Sequence, residues 1–277
     1  MSVSIVIVSY NAREPLENCL SSLAATPPAT PHDITVVDNA STDDSVMVTR
    51  QRWPAVQVIV HQQNVGFARA NNAGIRATAG NLILLLNSDT IVPPGAIDRL
   101  CDRLMAVPAA AVAGPRLVDA AGRAELSFGP MISPLGELRQ KATMSLYARK
   151  VGPVVAWVER ATQREHFVDW VSGACLLVHR GEAEAVGLLD ERYFLYTEDV
   201  DFCAAMRARG RRILFTPSAQ ITHLRGRSRA TVPDRMNLAY RRSQMAFYEK
   251  HHPRWAPVLR AYLRLKSEVP ERGQTQV

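Results

Sequence analysis

Residues 82–90, LILLLNSDT, change character in a single step. Five apolar residues, Leu82 to Leu86, run straight into an amide, a hydroxyl and a carboxylate at Asn87, Ser88 and Asp89. A short, unbroken apolar run bounded by polar residues fits a strand covered on both faces, as in parallel sheets. The flanks agree. Residues 67–79 are Ala-rich with helical spacing and stop at Gly80, and residues 95–105 repeat the helical pattern. Upstream, the apolar run 3–9 ends at Tyr10-Asn11, Leu16, Leu20 and Leu23 share a helix face, 34–37 ends in Asp38-Asn39, and 56–60 is a third run. Residues 110–113 predict a fifth strand. Strands alternating with helices predict an α/β fold, with a mainly parallel central sheet flanked by helices. In such sheets ligands bind outside the carboxyl ends of the strands, which would put Asp38 and Asp89 at a crevice mouth. Helix capping by Ser41, Ser88 or Asp89 is the competing explanation. It covers one such acid well and two less well.

Composition narrows the class. A chain of 277 residues with 47% apolar content has ample material for a core, and no apolar run approaches the roughly 20 residues that span a bilayer. The opening MSVSIVIVSYN lacks a basic region and a small-residue cleavage site, so it reads as a strand and not a signal peptide. Cys19, Cys101, Cys175 and Cys203 lie far apart with no CxxC pair, which suggests reduced core thiols in a cytoplasmic protein. Charge is uneven. From Asp201 onward there are 16 Lys and Arg against 5 Asp and Glu, leaving 17 against 21 in the first 200 residues. An anionic partner is therefore expected near the carboxyl-terminal part.

Past residue 118 the pattern loosens. Residues 122–128 suggest one strand of a hairpin, and 129–164 show no clear periodicity. Residues 167–179 are strand-like around Gly173-Ala174, 199–209 are helical up to Gly210, and 212–221 form a last strand. Residues 226–233 read as a flexible loop, and 237–251 and 257–266 as basic helices.

Five motifs follow in order: VVDNAST (36–42), NVGFARANNAG (64–74), LLLNSDT (84–90), DERYFLYTEDVDFCAAMRARG (190–210) and ITHLRGRS (221–228). Together they resemble the family 2 inverting glycosyltransferases of the A-type nucleotide-diphospho-sugar transferase (GT-A) fold. The resemblance is closest to the bacterial rhamnosyltransferase-like branch and spans Val3 to about Trp255. It implies a catalytic domain over 1–223, with about 1–118 holding the nucleotide-sugar and about 119–223 the acceptor, followed by a loop and basic helices over 224–277.

The resemblance also implies roles. Asp38 would accept a hydrogen bond from the pyrimidine ring, which suits a dTDP- or UDP-linked donor. Asn64, Gly66, Arg69 and Asn72 would lie under the nucleotide and sugar, Gly66 through its lack of a Cβ. Arg69 reads equally well as a solvated surface charge. Asn87-Ser88-Asp89 resembles the DxD metal motif with Asn in place of the first acid, leaving Asp89 as a ligand of Mn²⁺ or Mg²⁺ and His223 as the second ligand. Glu198-Asp199 resembles the motif that supplies the catalytic base, with Asp199 first and Asp201 the next choice; a helix start there favours the ionised acid. Asp169, Trp170 and Gly173 resemble the acceptor-side segment, although a core Trp explains Trp170 as well. Arg225 and Arg227, with Arg229, would close over the diphosphate.

The implied activity is transfer of a sugar, L-rhamnose from dTDP-rhamnose in this branch, to a cell-surface glycan or polyprenyl-linked saccharide. Another NDP-hexose transferase of the family and a non-catalytic glycan-binding protein are the alternatives. A nicotinamide dehydrogenase is disfavoured because no GxGxxG occurs. No nucleic-acid-binding motif is present either. The carboxyl-terminal segment mixes Arg and Lys with Tyr, Phe, Trp and Leu. It reads either as a peripheral contact with the inner face of a cell membrane or as packed helices with basic outer faces.

Overall fold

The computed structural model of the chain describes residues 1–224 and 233–266, with the side chains of 233–236 left aside. Arg225, Arg227 and Arg229, expected to close over the diphosphate, lie outside the described residues. In chain order the first half contains β1 (Val3–Ser9), α1 (Arg13–Ala25), β2 (His32–Asp38), α2 (Ser45–Arg52), β3 (Gln57–Val60), α3 (Phe67–Arg76), β4 (Leu82–Asn87), β5 (Thr90–Ile91), α4 (Ala96–Met105) and β6 (Ala110–Val118). The second half contains β7 (Phe128–Gly129), α5 (Pro134–Ala148), α6 (Gly152–Thr162), β8 (His166–Val168), β9 (Trp170–Val171), β10 (Cys175–His179), α7 (Arg180–Ala185), α8 (Glu198–Ala208), β11 (Arg212–His223), α9 (Pro233–His251) and α10 (Ala256–Leu265).

One sheet runs in the order β3-β2-β1-β4-β10-β6-β11-β5, with β8 also pairing β11. The first four strands are parallel, as the alternating pattern predicts. Beyond β4 the sheet is mixed. β10 enters antiparallel between β4 and β6, and β5 and β8 run antiparallel to β11, which itself lies parallel to β6. The chain is thus an α/β protein with a central sheet between helices, less parallel in its second half than expected. A two-residue strand such as β5 carries too little pattern to reveal its direction.

Side chains of the central strands alternate between two cores, as a period of two requires. Val6, Val8, Ile83 and Leu85 pack with α3, α8 and α9, whereas Ile5, Ile7, Leu84 and Leu86 pack with α1 and α4. Each fully buried Leu or Ile contributes about 2 kcal/mol, and every residue of β1 is buried. Phe247 and Tyr248 of α9 belong to the first core, so the change of sequence character near residue 223 is not a boundary in packing.

Two helices, α5 and α6, occupy the stretch that lacks periodicity. The cause is physical. α5 buries only Glu137, and α6 only Val158 and Thr162, while Leu135, Leu138 and Trp157 point to solvent. No inward apolar stripe exists to read. Among the described residues no helix is long and apolar enough to cross a membrane. All four cysteines are buried and unpaired.

Candidate active site

Register aligns the carboxyl ends of three neighbouring strands: Ser9 stands beside Asp38, and Val8 beside Asn87. Ser9 Oγ, Asp38 Oδ1 and Asn87 Oδ1 are buried without a hydrogen-bond partner among the described residues. Each such group costs about 1–3 kcal/mol unless something pairs with it, and a row of three marks this edge as built for a polar ligand. The two oxygens of Asp38 differ: Oδ2 accepts from Ser41 N at 2.9 Å and holds the turn after β2, while Oδ1 stays unmatched. Asn64 shapes the adjacent turn, its Oδ1 accepting from Asn39 Nδ2 at 2.8 Å and from Gly66 N at 3.0 Å.

Gly66 has φ of +87°, and a Cβ there would stand 2.6 Å from the Phe194 carbonyl oxygen. The absent side chain therefore admits the 194–197 segment, one wall of a cleft of about 460 Å³. Tyr10, Asn39, Asn64, Gly66, Asn87, Ser88 and Asp89 line that cleft. Ser172, Gly173, Glu198, Asp199 and His223 complete it.

His223 is the last residue of β11 and pairs in register with Thr90, the residue after Asp89. That places His223 Nε2 3.3 Å from Asp89 Oδ1, although 134 positions separate them along the chain. On its other side Nδ1 lies 3.2 Å from Glu125 Oε2. Burial alone would lower the imidazole pKa, but the bonds to Asp89 and Glu125 outweigh it and raise the value to about 9. A carboxylate behind an imidazole fixes the tautomer and increases basicity, which is how metal-binding histidines are commonly held. Oxygen and imidazole donors suit Mn²⁺, and oxygen donors alone suit Mg²⁺. Among the described residues no group of three or more His, Cys, Asp or Glu is arranged to hold an ion by itself. A cation at Asp89 and His223 would need further oxygens from a ligand, and a diphosphate has them.

Across the cleft, Tyr196 and Thr197 both adopt left-handed φ, 69° and 72°, immediately before α8. Left-handed non-glycine residues in succession are uncommon and cost stability. Here they turn the chain so that Glu198 and Asp199 open the helix facing the cleft. Asp199 Oδ2 accepts from Gly173 N at 2.8 Å and Oδ1 from Val200 N at 2.8 Å. A Cβ on Gly173 would stand 3.3 Å from Asp199 Cβ, so the glycine keeps this approach open. Burial raises both carboxyl pKa values. The two backbone donors pull Asp199 back down, whereas Glu198 Oε2 has no partner and the Asp199 charge pushes Glu198 higher still. Asp199 is therefore the stronger acid of the pair.

The remaining candidates lie away from the cleft. Asp201, two residues along α8, points into the interior, where Tyr193 Oη donates to it at 3.1 Å. Lys250 Nζ lies 2.8 Å from it and His251 Nε2 2.6 Å, both on α9. Arg69 is exposed and pairs with Glu191 at 3.3 Å. Asn72 is fully buried, donating to Leu189 O at 2.8 Å and to Glu191 Oε1 at 3.0 Å. Asp169 accepts from Met131 N at 2.8 Å and pairs with Arg207 at 2.8 Å. Trp170 is buried with Nε1 donating to Pro130 O at 2.8 Å. Sequence reasoning missed Glu125, Tyr10, Tyr196 and Thr197. Glu125 had no signal, since its partner is 98 positions away, whereas Tyr10 directly follows a recognised strand.

Comparison with known proteins adds to this geometry. Residues 2–257 match the family described as Glycosyltransferase like family 2. The chain is 31% identical over 285 aligned positions to N-acetylglucosaminyl-diphospho-decaprenol L-rhamnosyltransferase of Mycobacterium tuberculosis, covering 97% of this chain and 92% of that one. Among solved structures, the mannosyltransferase PcManGT from Pyrobaculum calidifontis, in complex with GDP-Man and Mn²⁺, superposes with a TM-score of 0.60 at 17% identity, over 95% of this chain and 69% of that chain. GalNAc-T7 with UDP, GalNAc and Mn²⁺ superposes with a TM-score of 0.60 at 16% identity over 81% of this chain, which spans only 44% of that larger one.

Proposed function

The chain belongs to glycosyltransferase family 2, and on that premise we propose that it moves L-rhamnose from dTDP-rhamnose to a lipid-linked saccharide, with inversion and with a bound Mn²⁺ or Mg²⁺. The observation that carries this reading is the gathering of Asp89, His223 and Asp199 on one cleft beside the unmatched ends of β1, β2 and β4. The mycobacterial relative acts on a diphospho-decaprenol-linked sugar, and its name supports both the acceptor class and the rhamnosyl donor here.

In the proposed reaction Asp38 Oδ1 accepts from the ring N–H of the pyrimidine, and the Asn39–Asn64 pair shapes the turn beside it. Asp89 and His223 would hold the cation, whose chemistry there would be to offset the charge developing on the departing diphosphate. Asp199 orients the acceptor hydroxyl and takes its proton as that oxygen forms the new bond at the anomeric carbon. The bond from that carbon to the diphosphate oxygen breaks in the same displacement, and the nucleoside diphosphate leaves with the electron pair. Glu198, the weaker acid of the pair, presents its unpartnered Oε2 for a hydrogen bond with the sugar. Tyr10, Phe194 and Tyr196 supply aromatic surface around the ligands.

A thermal-shift screen of nucleotide-sugars with and without Mn²⁺ tests the reading. A ligand present at 100 times its Kd should stabilise the native state by about 2.7 kcal/mol. A dTDP-sugar shift that depends on Mn²⁺ is expected. A UDP- or GDP-sugar preference would change the donor but keep the family chemistry, and no shift with any nucleotide-sugar would overturn the reading.

A further inference from the structure

Helix α10 carries two apolar stripes where a surface helix normally carries one. Ala256, Leu259 and Leu263 face the core beside α9. Trp255, Val258, Tyr262 and Leu265, spaced along a second line of the helix, are exposed at 51%, 57%, 46% and 88%. Helix α5 behaves similarly, with Leu135 and Leu138 at 78% and 67%. Ten of the fifteen exposed large apolar side chains among the described residues fall within 135–157 and 255–265. Scattered exposed apolar residues are ordinary; a concentration on neighbouring elements marks an interaction surface.

The two helices are fastened to a common support. Gln244 Nε2 donates to both Glu137 oxygens, at 2.7 and 2.8 Å, and Tyr248 Oη donates to Glu137 at 3.0 Å, joining α5 to α9. His252 Nε2 meets the Ile132 carbonyl at 2.7 Å, joining the α9–α10 corner to the segment that leads into α5. Charge around this apolar surface is mainly positive, the exception being the exposed Glu249 of α9, which pairs with Arg260. Arg254, Arg260, Arg264 and Lys266 flank α10, and residues 252–266 contain no acid. Arg139, Lys141, Arg149 and Lys150 accompany α5, whose one acid, Glu137, is buried and committed to α9.

We propose that the exposed stripe of α10, together with the outer face of α5, is a docking surface for an anionic phospholipid bilayer, in which the apolar side chains enter the headgroup region and the surrounding Arg and Lys meet lipid phosphates. Aromatic residues with a polar edge, such as Trp255 and Tyr262, suit that boundary. Juxtaposed basic residues add attraction to an anionic leaflet. A second copy of the chain is a poorer occupant, because it would set the same cations against each other. The surface lies on helices outside the cleft and stands independently of the sugar-transfer reading.

The test is co-sedimentation of the full chain with phosphatidylglycerol-containing vesicles and with phosphatidylcholine-only vesicles, without donor or acceptor. Wild type should pellet with the anionic vesicles and be released by high salt. The variant Trp255→Ser/Val258→Ser/Tyr262→Ser/Leu265→Ser should partition about 100-fold less, since each apolar side chain entering the boundary contributes several-fold or more. Its melting temperature, and the shift of that temperature by dTDP with Mn²⁺, should match wild type because all four side chains are exposed. A second variant, Leu135→Ser/Leu138→Ser, should weaken binding without touching α10. The proposal is overturned if wild type fails to pellet with anionic vesicles, or if both variants pellet like wild type. A concentration-dependent dimer that the serines abolish, with no vesicle binding, would assign the surface to self-association and equally overturn it. Failure here with an intact dTDP shift would leave the transfer chemistry standing.

Discussion

Replacing Asp199 by Asn separates chemistry from folding at the position most exposed to both. The carboxylate accepts two backbone N–H bonds, each at 2.8 Å. The amide oxygen can keep one of them, and the amide nitrogen then faces the other donor, at a cost of about 1.5–3 kcal/mol for a lost bond to a charged group. Against that loss stands a gain. Burial raises the Asp199 pKa, so carrying its charge at neutral pH is a burden the amide does not share. The terms oppose each other, and we expect a net stability change within about 1–2 kcal/mol, which moves the Tm by only a few degrees for a chain of this size. Removing a general base, by contrast, should lower kcat by about 10²–10⁴-fold. The assay pairs radiolabelled transfer under saturating donor with a melting curve and a dTDP titration on the same preparation. Wild-type turnover in Asp199→Asn would refute its role as base. A collapse of Tm alongside activity would show instead that the residue acts through the fold of the 194–199 segment.

Other expectations follow from the same geometry. Glu125→Gln should weaken Mn²⁺ binding about 10- to 100-fold, as loss of a carboxylate behind a metal-binding imidazole does; electron paramagnetic resonance of free Mn²⁺ in the presence of dTDP reads it directly. Because His223 is raised to about 9, a proton competes with the cation, so Mn²⁺ affinity should fall by about tenfold per pH unit below that value. In the metal-free protein the same shift stabilises the fold below the unfolded histidine pKa, and that contribution is lost as pH rises through about 9. Glu198 has its pKa raised in the folded state, so its native form binds the proton more tightly and stability falls as pH climbs above the ordinary glutamate value; Glu198→Gln should flatten that slope in melting curves between pH 5 and pH 8. Lys250→Met removes one partner of the nearly inaccessible Asp201 and should cost about 3 kcal/mol or more by urea unfolding, with donor affinity unchanged if α9 only supports α8.

Much of this protein was determined locally. The unbroken apolar runs of β1 and β4, the stop at Gly80 and the acids Asp38 and Asp89 at strand exits depend on near neighbours alone. The crevice edge was therefore readable without coordinates. What required tertiary structure was direction and partnership. Asp199 and Asp201 look equivalent in EDVD, yet they are about 200° apart around a helix, so one faces the cleft and the other meets Lys250 and His251. Asn72 and Trp170 carry the same chemistry whether they touch a ligand or the core, and only packing commits their nitrogens to Leu189, Glu191 and Pro130. α5 and α6 went unread because their apolar side chains face outward, and periodicity reports burial, not helicity. His223 and Asp89 meet because β5 pairs β11, and Glu125 joins them because its segment folds back on β6 beside β11; no local rule specifies either pairing.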